Sequence, residues 1–205
     1  MNRVISYIDG FNLYFGLREK GWRKYYWLDL VAMSEALLKP WQQLDHCHYF
    51  TARINSSSRS QSAARQSLWL DALATRPRLT THLGHFLPKK RECRSCGVNW
   101  QDYEEKMTDV NIAAQMLVDA YNDRFDTALL VSGDSDLTTP VRLIRENFPA
   151  KRVIVAFPPS RNSAELNRHA SGSTRLGEDK LRKNLLPSPI LTASGYELHR
   201  PPEWH

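Results

Sequence analysis

Residues 3–9 are Arg-Val-Ile-Ser-Tyr-Ile-Asp, a short apolar run that ends on a carboxylate. Its length and branched side chains are typical of a buried β-strand, and a helical pattern follows over residues 11–20 until Gly21. Further along the chain, apolar runs of strand length alternate with segments of helical period. This alternation predicts an α/β fold in which helices cover a mostly parallel sheet.

The pattern predicts five strands, followed by a weaker C-terminal region. The later four strands are predicted at residues 46–54, 79–87, 126–132 and 151–157. The clearest helix is predicted over residues 105–121, which carry a continuous apolar stripe. Before this helix, residues 88–103 form a small, irregular insertion that contains Cys93 and Cys96. We therefore expect one domain over residues 1–186 and a Pro-rich C-terminal tail, residues 187–205, that packs on it.

The composition is that of an ordinary globular protein. The chain has 205 residues, 41% of them hydrophobic and 24% charged, which excludes a disordered tail, a collagen-like repeat and a small disulfide scaffold. No run approaches the roughly 18 apolar residues of a membrane helix, so we expect no membrane association. The odd number of cysteines, three, favours a reducing cytoplasm. The net charge of +6 is compatible with a polyanionic partner such as nucleic acid.

Acidic residues follow the two strands that doubly wound folds bring side by side. Asp9 ends the first strand, and Asp134 and Asp136 follow the fourth. In the common strand orders these two strands flank the switch point, where ligands bind at the carboxyl ends. Asp109 lies on the edge of the apolar stripe of the preceding helix and is expected to point towards the same place. Four converging carboxylates repel one another unless a hard divalent cation, Mg²⁺ or Mn²⁺, neutralises them.

Each acidic residue also has a purely structural explanation. Asp134 and Ser135 are good N-cap residues for the next helix, and Asp9-Gly10 is typical of a turn. Asp109 would complement the dipole of its own helix. The combination of all four at neighbouring strand ends favours a site over these explanations. No phosphate-binding loop or dinucleotide fingerprint is present, which argues against a nucleotide-cofactor enzyme.

Three motifs, in order along the chain, resemble the NYN domain family and its LabA-like branch, within the PIN-like nuclease superfamily. They are Tyr7-Ile8-Asp9-Gly10-Phe11-Asn12, Glu105-Lys106-Met107-Thr108-Asp109-Val110 and Ser132-Gly133-Asp134-Ser135-Asp136-Leu137. The resemblance runs from about residue 3 to residue 157, with weaker similarity at residues 200–204. It implies a Rossmann-like (PIN-like) three-layer sandwich and a metal-dependent ribonuclease site. In that site Asp9, Asp109, Asp134 and Asp136 match the acidic residues, and Asn12 matches their polar partner.

The mechanism that we predict is metal-assisted hydrolysis of RNA phosphodiester bonds. Asp9 and Asp134 would be the principal ligands of Mg²⁺ or Mn²⁺, and Asp109 and Asp136 would complete the site directly or through water. Asn12 would position the scissile phosphate or a water. Because water attacks rather than the 2′-hydroxyl, the products would carry 5′-phosphate and 3′-hydroxyl ends.

Polar and basic residues around this crevice are candidates for holding the substrate. We predict this role for Lys106, Ser132, Arg53, Arg59, Arg65 and Arg161. Three of the arginines flank a Ser-rich loop, residues 56–62, at the predicted carboxyl edge of the sheet. The alternative for scattered arginines and lysines is an ordinary solvated surface.

The sequence Cys93-Arg94-Ser95-Cys96-Gly97 is half of a zinc-knuckle pattern. A structural Zn²⁺ needs four ligands, and His82 and His85 could supply the other two. Their spacing argues against this, because residues three apart on a strand point to opposite faces. Cys47 with a neighbouring histidine, free thiols and a redox pair are the alternatives.

The sequence thus predicts a divalent-metal-dependent endoribonuclease whose partner is RNA, single-stranded or structured. One alternative is a non-catalytic, LabA-like protein with an RNA-binding or regulatory role. A second is a metal-dependent phosphatase acting on a small substrate. The sequence is compatible with a homodimer.

Overall fold

In the computed structural model, which describes residues 1–54 and 60–205, a seven-stranded sheet forms the centre of the fold. Only the backbone is described for Ser60, Pro88 and residues 102–105. The strands of this sheet are β1 (Asn2–Asp9), β2 (Gln42–Ala52), β3 (Leu79–Glu92), β4 (Asn99–Lys106), β5 (Thr127–Val131), β6 (Arg152–Phe157) and β7 (Gly172–Arg175). Their spatial order is β4-β3-β2-β1-β5-β6-β7.

All neighbouring strands are parallel except β3 and β4, which are antiparallel. From β1 the chain first builds the sheet outwards through β2 and β3, then returns to the other side of β1 with β5. The reversal places the switch point between β1 and β5, and ligands of such sheets bind outside the carboxyl ends of strands at this point. In the register, Ile8 of β1 pairs with Val131 of β5, so Asp9 and Ser132 lie side by side beyond it.

Helices cover both faces of the sheet. They are α1 (Gly10–Glu19), α2 (Leu30–Glu35), α3 (Ser60–Ala74), α4 (Thr108–Tyr121), α5 (Thr138–Asn147), α6 (Ala164–His169) and α7 (Glu178–Lys183). One buried core contains Ile8, Leu17 and Leu73, and the other contains Tyr7 and Met116. Because successive residues of a strand face opposite sides, Tyr7 and Ile8 of β1 belong to different cores. The three-layer α/β fold predicted from the sequence is therefore confirmed.

The insertion predicted to be irregular is instead a β-hairpin. Strand β3 continues to Glu92, and β4 returns beside it after a turn that contains Gly97 with φ of +69°. The prediction was wrong because most of the side chains that the structure describes beyond residue 88 of this hairpin are exposed, so burial imposes no alternation of apolar and polar residues on them. The following helix starts at Thr108 rather than at residue 105, because Met107 has a left-handed backbone with φ of +83°.

The C-terminal segment lies against the face that carries α1 and α2. Strands β8 (Ile190–Leu191) and β9 (Glu197–Leu198) form a small separate ribbon, and Trp204 belongs to the first core, next to Tyr26 and Trp27. In the described part of the chain, every helix is too short or too polar to cross a membrane.

Candidate active site

Three carboxylates meet at the carboxyl edge of the sheet. Asp9 ends β1, Asp134 follows β5, and Asp109 lies in the first turn of α4. One oxygen from each of the three lies within 4.8 Å of the oxygens of the other two. Asp9 is buried, and the other two are half-buried, so the cluster is open to solvent on one side. Asp9 and Asp134 are 125 positions apart along the chain, and the strand order at the switch point brings them together.

The carboxylate of Asp9 is held by hydrogen bonds at both oxygens. Its Oδ1 accepts from the backbone N of Asn12 over 3.0 Å, which caps the N-terminus of α1. Its Oδ2 accepts from Ser132 Oγ over 2.8 Å. Such bonds fix the orientation of a carboxylate before any ligand binds.

Ser132 also contacts the second carboxylate segment. Its Oγ accepts a hydrogen bond from the backbone N of Asp134 over 3.0 Å. Ser132 is fully buried, so its hydroxyl lies beneath the carboxylates and not on the surface that a substrate would touch. The contacts of Ser132 are with Asp9 and Asp134, and its role in substrate binding stays a prediction.

Burial sets the protonation of Asp9. Loss of solvent raises the pKa of Asp9 above its usual range, and the negative charge of Asp134 adds to this effect. The hydrogen bonds from Asn12 and Ser132 oppose the shift without cancelling it. A bound cation would favour the charged form of Asp9, so the cluster is electrostatically matched to a positive ion.

Asp136 does not join the three carboxylates. Asp134 caps the short 3₁₀ helix at Ser135–Leu137, where its Oδ1 accepts from the backbone N of Asp136 over 3.0 Å. Asp136 itself is exposed and lies outside the group. The predicted cluster of four aspartates therefore contains three, because the tight turn after β5 directs only the first of its two aspartates inward.

Asn12 and Arg161 both lie close to the loop that follows β5. Asn12 Oδ1 accepts a hydrogen bond from the backbone N of Gly133 over 3.1 Å. A Cβ at Gly133 would lie 2.8 Å from the Cβ of Arg161. The Arg161 guanidinium forms an ion pair with Glu19, the last residue of α1, over 3.1 Å. The backbone of Arg161 therefore lies beside the loop that leads to Asp134, whereas its guanidinium is paired at the far end of α1.

The other residues predicted to hold the substrate differ in their surroundings: one is in an ion pair, two are exposed and one lies outside the described residues. Arg65 is paired with Glu203 of the C-terminal segment over 2.9 Å, so the structure gives it a contact within the protein. Arg53 is exposed just beyond β2, and Lys106 is exposed at the end of β4. Arg59 lies outside the described residues.

The structure does not bring Cys93 and Cys96 together with His82 and His85. The cysteines lie in the turn between β3 and β4, whereas His85 pairs with Lys106 at the base of the hairpin. His82 lies on the part of β3 that pairs with β2. The proposed two-cysteine, two-histidine zinc site is therefore wrong, because the hairpin separates the two pairs along its length.

His82 belongs instead to a buried polar network that the sequence analysis missed. His48 Nδ1 lies 2.9 Å from His82 Nε2, and His48 Nε2 lies 3.5 Å from Asp119 Oδ2. Tyr7 donates to the same Asp119 oxygen over 2.8 Å. A signal was present, because His46 and His48 are two apart on a strand and therefore face the same core.

Protonation in this network follows from its burial. Loss of solvent lowers the pKa of both His46 and His82, and the nearby His48 lowers them further. Burial would raise the pKa of Asp119, but hydrogen bonds from His48, Gln115 and Tyr7 leave it below its usual range. The pKa values of Asp119, His46 and His82 are thus all lowered, which favours a charged carboxylate and neutral His46 and His82 rings.

Comparison with known proteins shows which family this chain matches. The family model described as NYN domain matches residues 3–176, which is most of the chain. NYN domains belong to the PIN-like superfamily. The match is to the NYN domain as a whole, and the LabA-like branch stays a prediction.

Two individual proteins are similar to this chain. A Pseudomonas putida (strain DSM 28022 / S16) protein named 6-hydroxy-3-succinoylpyridine 3-monooxygenase HspA is 28% identical over 199 residues, which cover 80% of this chain and 62% of that protein. This chain thus spans less than two thirds of the length of that relative. A crystal structure of a Vibrio parahaemolyticus RIMD 2210633 protein of unknown function superposes with a TM-score of 0.55 at 19% identity. It covers 87% of this chain and 94% of the other, and it supports the fold alone.

Proposed function

This chain belongs to the NYN domain family, and from that premise we propose that it is a divalent-metal-dependent endoribonuclease. NYN domains are generally nuclease-like, which supports a hydrolase acting on phosphodiester bonds. We further propose that the substrate is RNA and that the ion is Mg²⁺ or Mn²⁺. The observation that carries the proposal is the meeting of Asp9, Asp109 and Asp134 at the switch point.

The donor set fits a hard divalent ion. All three side chains offer carboxylate oxygens, which Mg²⁺ and Mn²⁺ prefer, and Asp9 carries a raised pKa that a cation would relieve. When bound, such an ion activates water and stabilises the charge that develops on the leaving oxygen of a phosphodiester. The residues that would hold it are Asp9 and Asp134, with Asp109 completing the set.

The remaining roles follow from position. Asp109 enters the cluster from α4, so we assign it the orientation of the attacking water. Asn12 uses Oδ1 to hold Gly133, which leaves its Nδ2 to donate to a phosphate oxygen. The backbone of Arg161 lies beside the same loop, and its predicted contact with the phosphate backbone requires the guanidinium to leave its ion pair with Glu19. Because the nucleophile in this scheme is water, the products carry 5′-phosphate and 3′-hydroxyl ends.

The name of the Pseudomonas putida relative indicates oxidation of a pyridine by that protein. Non-haem oxygenases that use Fe(II) commonly hold it with two histidines and one carboxylate. In the described part of this chain, the group at the switch point contains three aspartates and no histidine. The donor set at the switch point therefore does not match that kind of iron site.

End mapping tests the proposed chemistry. Purified protein is incubated with end-labelled single-stranded and hairpin RNA and Mn²⁺ or Mg²⁺, and the product ends are determined. We expect 5′-phosphate and 3′-hydroxyl ends with the wild type and with Asp136→Asn, and no products with Asp109→Asn. Products ending in a 2′,3′-cyclic phosphate would contradict attack by water.

The same preparation separates the two alternatives. Salt-dependent binding of RNA without cleavage under any metal would indicate a non-catalytic RNA-binding protein, because backbone contacts release counterions. Hydrolysis of a small phosphomonoester such as p-nitrophenyl phosphate, with no cleavage of RNA, would indicate a phosphatase.

A further inference from the structure

The turn at the end of the hairpin has the geometry of a metal-binding knuckle. Cys93 Sγ lies 3.1 Å from Ser95 Oγ, within the turn that carries both cysteines. The turn is closed by hydrogen bonds from Gly97 N to Cys93 O over 2.8 Å and from Cys93 N to Val98 O over 2.9 Å. Gly97 has a φ of +69°, which lets the chain reverse immediately after the second cysteine. A tight, hydrogen-bonded turn with a glycine after the second cysteine is the kind of turn that presents two thiolates to one ion.

Two thiolates are half of what a structural zinc ion needs. Zn²⁺ in such sites is bound tetrahedrally by four nitrogen or sulfur ligands. In the described residues, Cys93 and Cys96 share no third histidine, cysteine or carboxylate close enough to complete a site. The third cysteine of the chain, Cys47, is fully buried in the domain core. The missing ligands are therefore expected from outside this copy of the described chain.

The position of the knuckle leaves it open to another molecule. Residues Leu79 to Gly84 of β3 pair with β2, whereas His85 to Glu92 pair only with β4. This two-stranded part of the hairpin is about 26 Å long. Phe86 near its base packs on Phe11 of α1, and the turn with the two cysteines lies at its other end. Cys96 at its end is exposed, and Cys93 is half-exposed.

Two large apolar side chains follow the knuckle closely in the chain. Val98 is 59% exposed and Trp100 is 50% exposed, and the two are two positions apart where the chain turns back into β4. Exposed tryptophan beside a conformationally fixed turn is typical of the centre of a protein–protein contact. The apolar surface and the incomplete ligand set therefore lie at the same end of the hairpin.

We propose that two copies of this chain join at their hairpin ends through one Zn²⁺, which is bound by Cys93 and Cys96 of each copy. A two-fold contact places the same surface of both copies together, so it supplies two identical pairs of thiolates and a tetrahedral set of four. Each thiol loses its proton to solvent on binding. Val98 and Trp100 of each copy would pack around the ion. This inference does not depend on the function of the acidic cluster.

Metal titration of the reduced, metal-free full chain tests the proposal. Co²⁺ is added as a probe, because its thiolate charge-transfer absorption reports only sulfur ligands and is blind to the aspartates. Zn²⁺ is then added while the mass is followed by light scattering. We expect the thiolate absorption to saturate at half an equivalent of Co²⁺ per chain. With Zn²⁺ we expect the mass to rise from that of one 23.7 kDa chain to twice that value, and a chelator to reverse it.

Three variants sharpen this test. Cys96→Ser should remove both the absorption and the dimer, and Arg94→Ala, a change in the same turn at a residue that is not a ligand, should leave both intact. Trp100→Ala keeps the ligands and should raise the protein concentration needed for dimers by about ten-fold. Circular dichroism verifies that each variant is folded.

Several results would overturn the proposal. They are a full equivalent of metal bound by a monomer, no thiolate absorption, a dimer that survives chelation, and a Cys93–Cys96 disulfide that resists the reductant. Iron found in place of zinc in the protein as isolated would also overturn it.

Discussion

Ser132 Oγ donates a hydrogen bond to Asp9 Oδ2 over 2.8 Å, although 123 positions separate the two residues in the chain. The bond joins the end of β1 to the end of β5 at the switch point of the sheet. The same hydroxyl accepts from the backbone N of Asp134, so one buried serine sets the relative position of two of the three carboxylates. The geometry of the candidate site is therefore a direct consequence of the strand order.

Removing this hydroxyl should loosen the site. We expect Ser132→Ala to lower the affinity for Mn²⁺ by about 10–100-fold, as is usual when a partner that orients a metal ligand is lost. It should also lower the free energy of unfolding by about 1–3 kcal/mol, because a buried carboxylate oxygen loses its donor. Calorimetric titration with Mn²⁺ and urea unfolding measure the two effects. Ser135→Ala, an exposed change in the same loop, is the control and should alter neither.

Metal binding should be visible as thermal stabilisation without any nucleic acid. At 100 times its dissociation constant, an ion that binds only the folded state adds about 2.7 kcal/mol, which is about 5–10 °C in Tm for a chain of this size. We expect this shift with Mn²⁺ in the wild type and in Asp136→Asn, and its loss in Asp134→Asn. An equal loss in both variants would restore Asp136 to the ligand set.

Gly133 should not accept a side chain. A Cβ there would lie 2.8 Å from Arg161 Cβ and 3.0 Å from Asn162 N, so the loop after β5 would have to move. We expect Gly133→Ala to cost about 1–3 kcal/mol of stability and to lower RNA cleavage, because Asn12 is bound to the same loop. Gly172→Ala is the matched control, since its Cβ would meet only Ile154 Cδ1 at 3.4 Å. Similar losses in both variants would show that the close approach is not the cause.

The buried histidines should make the folded state sensitive to acid. Because the pKa of His82 is lowered in the folded state, the unfolded chain binds its proton first as the pH falls below about 6.5. The free energy of unfolding should therefore decrease from pH 7.5 to pH 5.5, and this decrease should be smaller in His82→Gln. Urea unfolding at the two pH values measures it, and the difference between proteins removes the contribution of groups outside the network, such as Asp9.

The exposed His199 provides the control for this measurement. His199→Gln should retain the pH dependence of the wild type. A decrease in His82→Gln as large as that of the wild type would show that protonation of His82 is not linked to folding.

The sheet and the convergence of three aspartates were accessible from the sequence because each depends on a strong local signal. Asp9 and Asp134 directly follow apolar runs that only a buried strand explains, and the parallel topology then puts them together. The helical period places Asp109 at the edge of the apolar stripe of its helix. These signals are short-ranged or follow from fold rules, so they need no knowledge of side-chain contacts.

Other features depend on geometry that residue patterns do not record. The inward position of Asp134 and the exposure of Asp136 are decided by one 3₁₀ turn, since both residues are equally good caps and ligands. Strand β4 escaped prediction because the side chains that the structure describes in it, Asn99, Trp100, Gln101 and Lys106, are all exposed. The positive φ of Met107 ended this strand without a glycine to mark it. The ion pair of Arg65 with Glu203 joins residues far apart in sequence.

The most direct test of the account is the rate of RNA cleavage as a function of Mn²⁺ concentration, measured for the wild type and for Asp134→Asn under identical conditions. We expect saturable, metal-dependent cleavage by the wild type that a chelator abolishes. In Asp134→Asn the rate should fall by at least about 100-fold, since even the loss of a residue that only orients a ligand costs 10–100-fold. Equal cleavage by the two proteins, or cleavage by the wild type that persists in the chelator, would contradict the assignment of the three aspartates as the metal-binding catalytic site.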